Sequence, residues 1–205
     1  MRFSFSPVTN PTTMFLTLSD VVGLGSDELL RPVFALFVVS RIPDSGPAVV
    51  GIAMASYFLA KSVAQLPVAH LLDRIAGERD DFSALFFGRL AMAAGTALYL
   101  LVSQPVHLYL VQAFLGLAVA LYLPSYLAIF TRHTRKAVAG QTWGLRYTMV
   151  DLMGATAAVI GGYLASSFGF AVLIAVYAGM QVVSALLVLP IRSRTRRPDG
   201  HRRGG

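Results

Sequence analysis

Six apolar stretches separated by short polar breaks take up most of the chain, at about 13–39, 47–72, 84–103, 106–131, 146–168 and 170–191. Each holds about 20 residues or more. At a rise of about 1.5 Å per residue, that length crosses a hydrocarbon core of about 30 Å. The pattern predicts an all-α, polytopic membrane protein with six transmembrane helices in one domain over 1–191, followed by a basic, disordered cytoplasmic tail at 192–205. No soluble domain is left over, so the activity lies within or across a bilayer.

Composition agrees. Only 13% of the residues are charged, against about a quarter in soluble domains, and the mean hydropathy is +0.65. With no cysteine, disulfides and thiolate metal sites are excluded. The four histidines, His70, His107, His133 and His201, have no metal-ligand spacing, so no metal site is expected. There is no nucleophile–base set and no glycine-rich phosphate loop, so the chain reads as neither an enzyme nor a cofactor protein, with no catalytic residues. The net charge of +7 sits in short loops and the tail rather than on one folded face, which argues against nucleic acid as a partner. The first apolar run is too long for a signal peptide and is expected to remain as the first helix. The basic stretch after Ile191 reads as a natural end.

An even number of spans puts both termini on one side. Fourteen of the 17 Lys and Arg fall there, Arg89 and Arg146 among them, against Arg41 alone on the other side, with Arg31 and Lys61 inside the bilayer. Basic residues collect on the cytoplasmic side, so the expected location is the cell (inner) membrane with both termini cytoplasmic. The bilayer is then the first partner, and the tail is placed to hold anionic headgroups at about 1 kcal/mol per basic residue.

Charges inside the spans are the candidate chemistry. Asp27, Glu28 and Arg31 lie in the first span and Lys61 in the second, at similar depth counted from the outer loop. Each alone would cost about 2.5–3.5 kcal/mol at a helix centre. Together they sum to zero, which predicts one neutralised cluster. It either lines a substrate or ion path or fixes the first helix against its neighbours. Asp20 lies nearer the cytoplasm, and Asp151 reads as a partner of Arg146. Gln112 and Tyr126 are further path candidates, while Gln65, Gln181, Tyr57 and Tyr177 serve equally as packing groups. The series Gly154, Ala158, Gly162 predicts a small-residue face for close helix packing, with Gly161 beside it. Pro32, Pro67 and Pro124 should kink or break their helices.

Particular motifs carry a family resemblance. The loop Leu71-Leu-Asp-Arg-Ile-Ala-Gly-Glu-Arg79 resembles the cytoplasmic signature of the major facilitator superfamily, a small residue followed by Leu-x-Asp-Arg-x-Gly-Arg. The stretch 116–132 is similar to its fourth helix, and Gly154, Gly161 and Gly162 to its glycine-rich fifth helix. Lys61-Ser-Val-Ala-Gln-Leu-Pro67, Gly77-Glu-Arg-Asp-Asp-Phe82, Ile129-Phe-Thr-Arg-His133 and Trp143-Gly-Leu-Arg146 resemble half-length bacterial members. The resemblance implies one half of that fold, a three-plus-three inverted repeat. Within it, Asp73, Arg74, Gly77 and Arg79 form the loop motif, and Asp73 and Arg74 resemble a latch between halves. A short internal echo fits: Pro32 to Phe37 against Pro124 to Phe130, with Gly25 and Gly116 upstream.

The chain also departs from the pattern. The loop has an extra residue before Gly77, and Ala69 fills its glycine position. Gln112 stands where many proton-coupled members have arginine, and Ala157-Ala158 where antiporters have Gly-Pro. Proton coupling and drug efflux are therefore not implied. The resemblance implies a transporter that pairs with a second copy of itself to move a small solute by alternating access. The alternative is a non-transporting scaffold or subunit that keeps the fold and binds a protein partner.

Overall fold

The computed structural model describes residues 10–43, 45–74 and 78–193, and among these there is no strand. Six helices are assigned: α1 (Pro11–Asp27), α2 (Phe34–Arg41), α3 (Pro47–Arg74), α4 (Arg79–Leu98), α5 (Pro105–His133) and α6 (Ala139–Leu186). Asn10 caps α1: its Oδ1 accepts from the Thr12 amide at 3.0 Å, while Pro11 at the first helical position loses no bond by lacking an N–H. The Asn10 amide nitrogen also donates to the His133 carbonyl at 3.1 Å, fastening the start of α1 to the end of α5.

The first apolar stretch is not one helix. It unwinds after Asp27, passes through a 3-10 turn at Arg31–Val33 and resumes as α2. Pro32 is the cause. It has no N–H to donate back, and its ring crowds the carbonyl four residues earlier. The bonds that remain in this stretch are three-residue ones, Leu29 to Ser26 at 3.0 Å and Val33 to Leu30 at 3.1 Å. Pro67 and Pro124, by contrast, lie inside uninterrupted helices. The sequence echo between Pro32 and Pro124 thus has no local structural counterpart.

α6 is divided at Gly169, whose φ of 81° and ψ of 169° are not helical. Only glycine adopts such a conformation without strain. Contacts with the N-terminal half show what the chain does there. Along the limb 139–168, Arg146, Met153 and Gly161 meet Asp20, Gly25 and Leu29, so this limb runs with α1. Along 170–186 the order is reversed: Phe170 meets Phe37, Tyr177 meets Asp27, and Ser184 meets Ser19. The chain therefore turns back on itself at Gly169, and α1 is flanked by both limbs. Among the described residues, four helical runs are long and apolar enough to cross a bilayer: Pro47–Arg74, Arg79–Leu101, Pro105–His133 and Lys136–Ile191.

α5 is central, packing on α3 and α4, and it buries Leu108, Leu115, Tyr122, Tyr126, Ile129 and Phe130. α3 is peripheral, with Ala53 its one buried residue. It approaches α5 so closely that a Cβ on Gly116 would strike the Tyr57 carbonyl. In α6 the packing face is Gly154, Ala157 and Gly161, not the expected Gly154, Ala158 and Gly162. A Cβ at Gly161 would collide with the Leu29 backbone, whereas Gly162 faces open space. Spacings of three and four alternate on one side of a 3.6-residue helix, while repeated fours drift away from it.

Candidate functional site

A buried charge network lies at the heart of the bundle. α1 presents Asp20 to α4 and α6, and the carboxylate bridges two arginines. Arg89 Nη2 donates to Oδ1, and Arg146 Nε donates to Oδ2 at 2.7 Å. Arg146 Nε also donates to the Tyr126 hydroxyl at 2.8 Å. Asp20 and Arg89 are each about 1% exposed. One carboxylate against two guanidiniums leaves one positive charge in excess, which aromatic faces surround. The Tyr122 ring lies 4.3 Å from the Arg89 guanidinium, and Tyr147 and Tyr126 lie 4.8 and 5.2 Å from that of Arg146. Gly23 makes room for the Arg89 guanidinium, against which any Cβ would press.

This network corrects two sequence expectations. Arg89, counted from the sequence with the basic residues on the side of the termini, lies inside the bundle, because α4 begins at Arg79 and carries it there. Arg146 pairs with Asp20 rather than Asp151. α6 begins at Ala139, which puts Arg146 two turns into the helix facing α1, while Asp151, five residues on, points to an exposed face.

Beside the network opens a cavity of about 530 Å³, lined from every helix of the bundle. Asp27, Leu30, Arg31 and Phe34 come from the broken first segment, Met54, Tyr57 and Phe58 from α3, and Met92 and Tyr99 from α4 and the turn after it. Gln112 and Leu115 come from α5, and Tyr177 from α6. Asp27 is held from behind: its Oδ1 accepts from the Tyr177 hydroxyl at 2.7 Å and from Gln181 Nε2 at 2.8 Å. Gln181 also donates to the Gly23 carbonyl at 3.2 Å. One turn further, Ser19 and Ser184 each donate to the other's carbonyl, at 2.8 and 2.7 Å.

The expected four-charge cluster is split. Glu28 pairs with Arg31 at 3.2 Å, and Asp27 is bound by neutral donors of α6. Lys61 makes no ion pair among the described residues and is not part of the cavity lining. Peripheral α3 carries it, and nothing draws it inward. Of the other path candidates, Gln112 lines the cavity and Tyr126 belongs to the arginine network. Asp73 and Arg74 end α3 exposed, Arg79 opens α4, and Gly77 lies outside the described residues. The start of α4 and the end of α5 are joined instead by Asp81 with Arg132 and by Glu78 with His133 at 3.2 Å.

A helical bundle with apolar spans, a buried ion network and a cavity lined by aromatic and a few polar side chains defines a multi-pass membrane protein. The sequence model of the Major Facilitator Superfamily matches residues 14–205, and the chain belongs to that family. Among solved structures, the in meso crystal structure of the POT family transporter PepTSo is similar over 95% of this chain, with a TM-score of 0.77 and 16% identity, a likeness of fold. The chain spans 40% of the length of that solved chain. No curated protein sequence matches it.

Proposed function

We propose that this chain is half of a transporter: six crossings arranged as a three-plus-three inverted repeat, two copies of which enclose a path and move a small solute by alternating access. The cavity carries this reading. It joins all the helices around one carboxylate, and in a span an ionisable group facing a cavity marks a pathway by default. The chain's 40% coverage of a solved transporter is what a half would give. α3 turns Leu59, Val63 and Leu66 outward, 66–78% exposed, a face suited to a second copy. Moving Arg89 and Arg146 into the bundle leaves twelve basic residues against Arg41 alone, so both termini are assigned to the cytoplasm of the inner membrane.

The test is the intact mass in lipid nanodiscs together with solute counterflow in proteoliposomes. A dimer of twice 22.0 kDa that exchanges a solute, with flux lost in Asp27→Asn while the dimer persists, supports the carrier. A stable monomer that exchanges nothing supports the scaffold instead.

A further inference from the structure

We infer that the cavity takes an organic cation with an apolar body, its charge held by Asp27 and its body by the surrounding aromatic rings. The inference rests on reading the cavity as a solute site, and it concerns the chemistry of that solute.

The two aspartates of α1 are treated in opposite ways. Asp20 has two arginines. Asp27, seven residues on, has no Lys or Arg within ion-pair distance among the described residues; both of its hydrogen bonds come from neutral groups and fall on Oδ1. Asp27 also lines the cavity, and its Oδ2 receives no hydrogen bond among the described residues. The carboxylate is thus fixed by one oxygen with the other available to a ligand. Arg31, the one basic residue among the described lining residues, is paired with Glu28 at 3.2 Å. Arg89 is committed to Asp20, and Lys61 lies a turn beyond Tyr57 on α3, outside the lining. Among the described lining residues, Asp27 is therefore the one carboxylate, and it has no ion-pair partner of its own.

What faces that charge is aromatic and soft. Phe34, Tyr57, Phe58, Tyr99 and Tyr177 line the cavity with Met54 and Met92. Ring faces attract cations within about 6 Å, more strongly where water is excluded, and thioethers adapt to irregular apolar shapes. The volume of about 530 Å³ lies in the range of pockets for drug-sized molecules. A neutral solute would desolvate Asp27 without replacing its lost water, and an anion would be repelled by it.

Tetraphenylphosphonium and tetraphenylborate have nearly the same shape and opposite charge, so together they isolate the sign. Equilibrium binding of labelled tetraphenylphosphonium is measured on the full-length protein in phosphatidylcholine nanodiscs. Saturable binding is expected, absent for labelled tetraphenylborate measured in a separate sample, and weakened at least tenfold in Asp27→Asn. Asn keeps an oxygen for Tyr177 and Gln181, and an unchanged melting temperature checks that it folds. Tyr57→Leu and Tyr99→Leu, which touch no ion pair, are each expected to weaken binding several-fold. The inference is overturned by absence of saturable binding, by equally tight saturable binding of the anion in its own sample, or by all three variants binding like the parent. Its fate is separable from that of the carrier. Flux of a neutral or anionic solute without phosphonium binding removes the cation class and keeps transport. Phosphonium binding with no flux of any solute keeps the site and removes the carrier.

Discussion

Asp20 and Arg89, 69 residues apart in sequence, form an ion pair in the middle of the bundle from which water is almost wholly excluded. Arg146 shares the same carboxylate, so the three side chains act as one unit in which the aspartate is the scarce member. Removing one partner of a buried pair costs about 3–5 kcal/mol, because the other is left charged and dry.

Asp20→Asn is therefore expected to destabilise the protein more than Arg146→Gln, since it strands two cations rather than relieving an excess of one. Melting in mild detergent, followed by size-exclusion chromatography, ranks the two variants. Equal melting temperatures for parent and Asp20→Asn would show that the network contributes nothing to stability.

Gly161 and Gly162 are adjacent but sit in different surroundings. Gly161→Ala should lose about 1–3 kcal/mol, the usual cost of forcing extra atoms into a packed interface, because its new methyl meets the Leu29 backbone. Gly162→Ala should be close to neutral, as nothing lies within 4 Å of its Cβ position. The same thermal assay reads both, and a reversed order would refute the packing face assigned to α6.

Tyr177→Phe removes one of the two donors that hold Asp27 in place. A hydrogen bond to a charged group is worth about 1.5–3 kcal/mol. The expected effect is a solute KM raised tenfold or more with kcat less affected, because the carboxylate remains but is less firmly aimed. A change in kcat alone would place Tyr177 in the conformational cycle rather than at the site.

The absence of cysteine makes topology directly testable. Ser103→Cys, between α4 and α5, should react with an impermeant maleimide from outside intact cells. Ser193→Cys, just after α6, should react only after the membrane is opened. Labelling of Ser193→Cys in intact cells would invert the proposed orientation.

Hydropathy made the four long apolar helical runs legible, together with the breaks near Arg41, Ser103 and Gly169, because a bilayer demands length and apolarity before anything else. It placed the start of the helix carrying Arg89 too late, since Arg79, Asp80 and Asp81 read as loop although they form its first turn. That error hid the arginine network. Pairing was less legible than placement. Charge balance grouped Asp27, Glu28 and Arg31 with Lys61 in one cluster, which the structure splits, because which face of α1 met which helix depended on the turn at Pro32 and on α6 folding back. Tyr177 and Gln181 lie about 150 residues from Asp27, and no local pattern joins them.

The hairpin at Gly169 also sets an order of events during synthesis. α1 is made first, yet its lateral neighbours are the two limbs of the last helix, through contacts 126 residues away for Arg146 and 165 for Ser184. Contacts of such separation form late. Until the final hairpin emerges from the ribosome, Asp20 lacks one of its two arginines and Asp27 both of its donors. Nascent α1 stays acidic and half-wrapped until the two limbs of α6 arrive to shelter it.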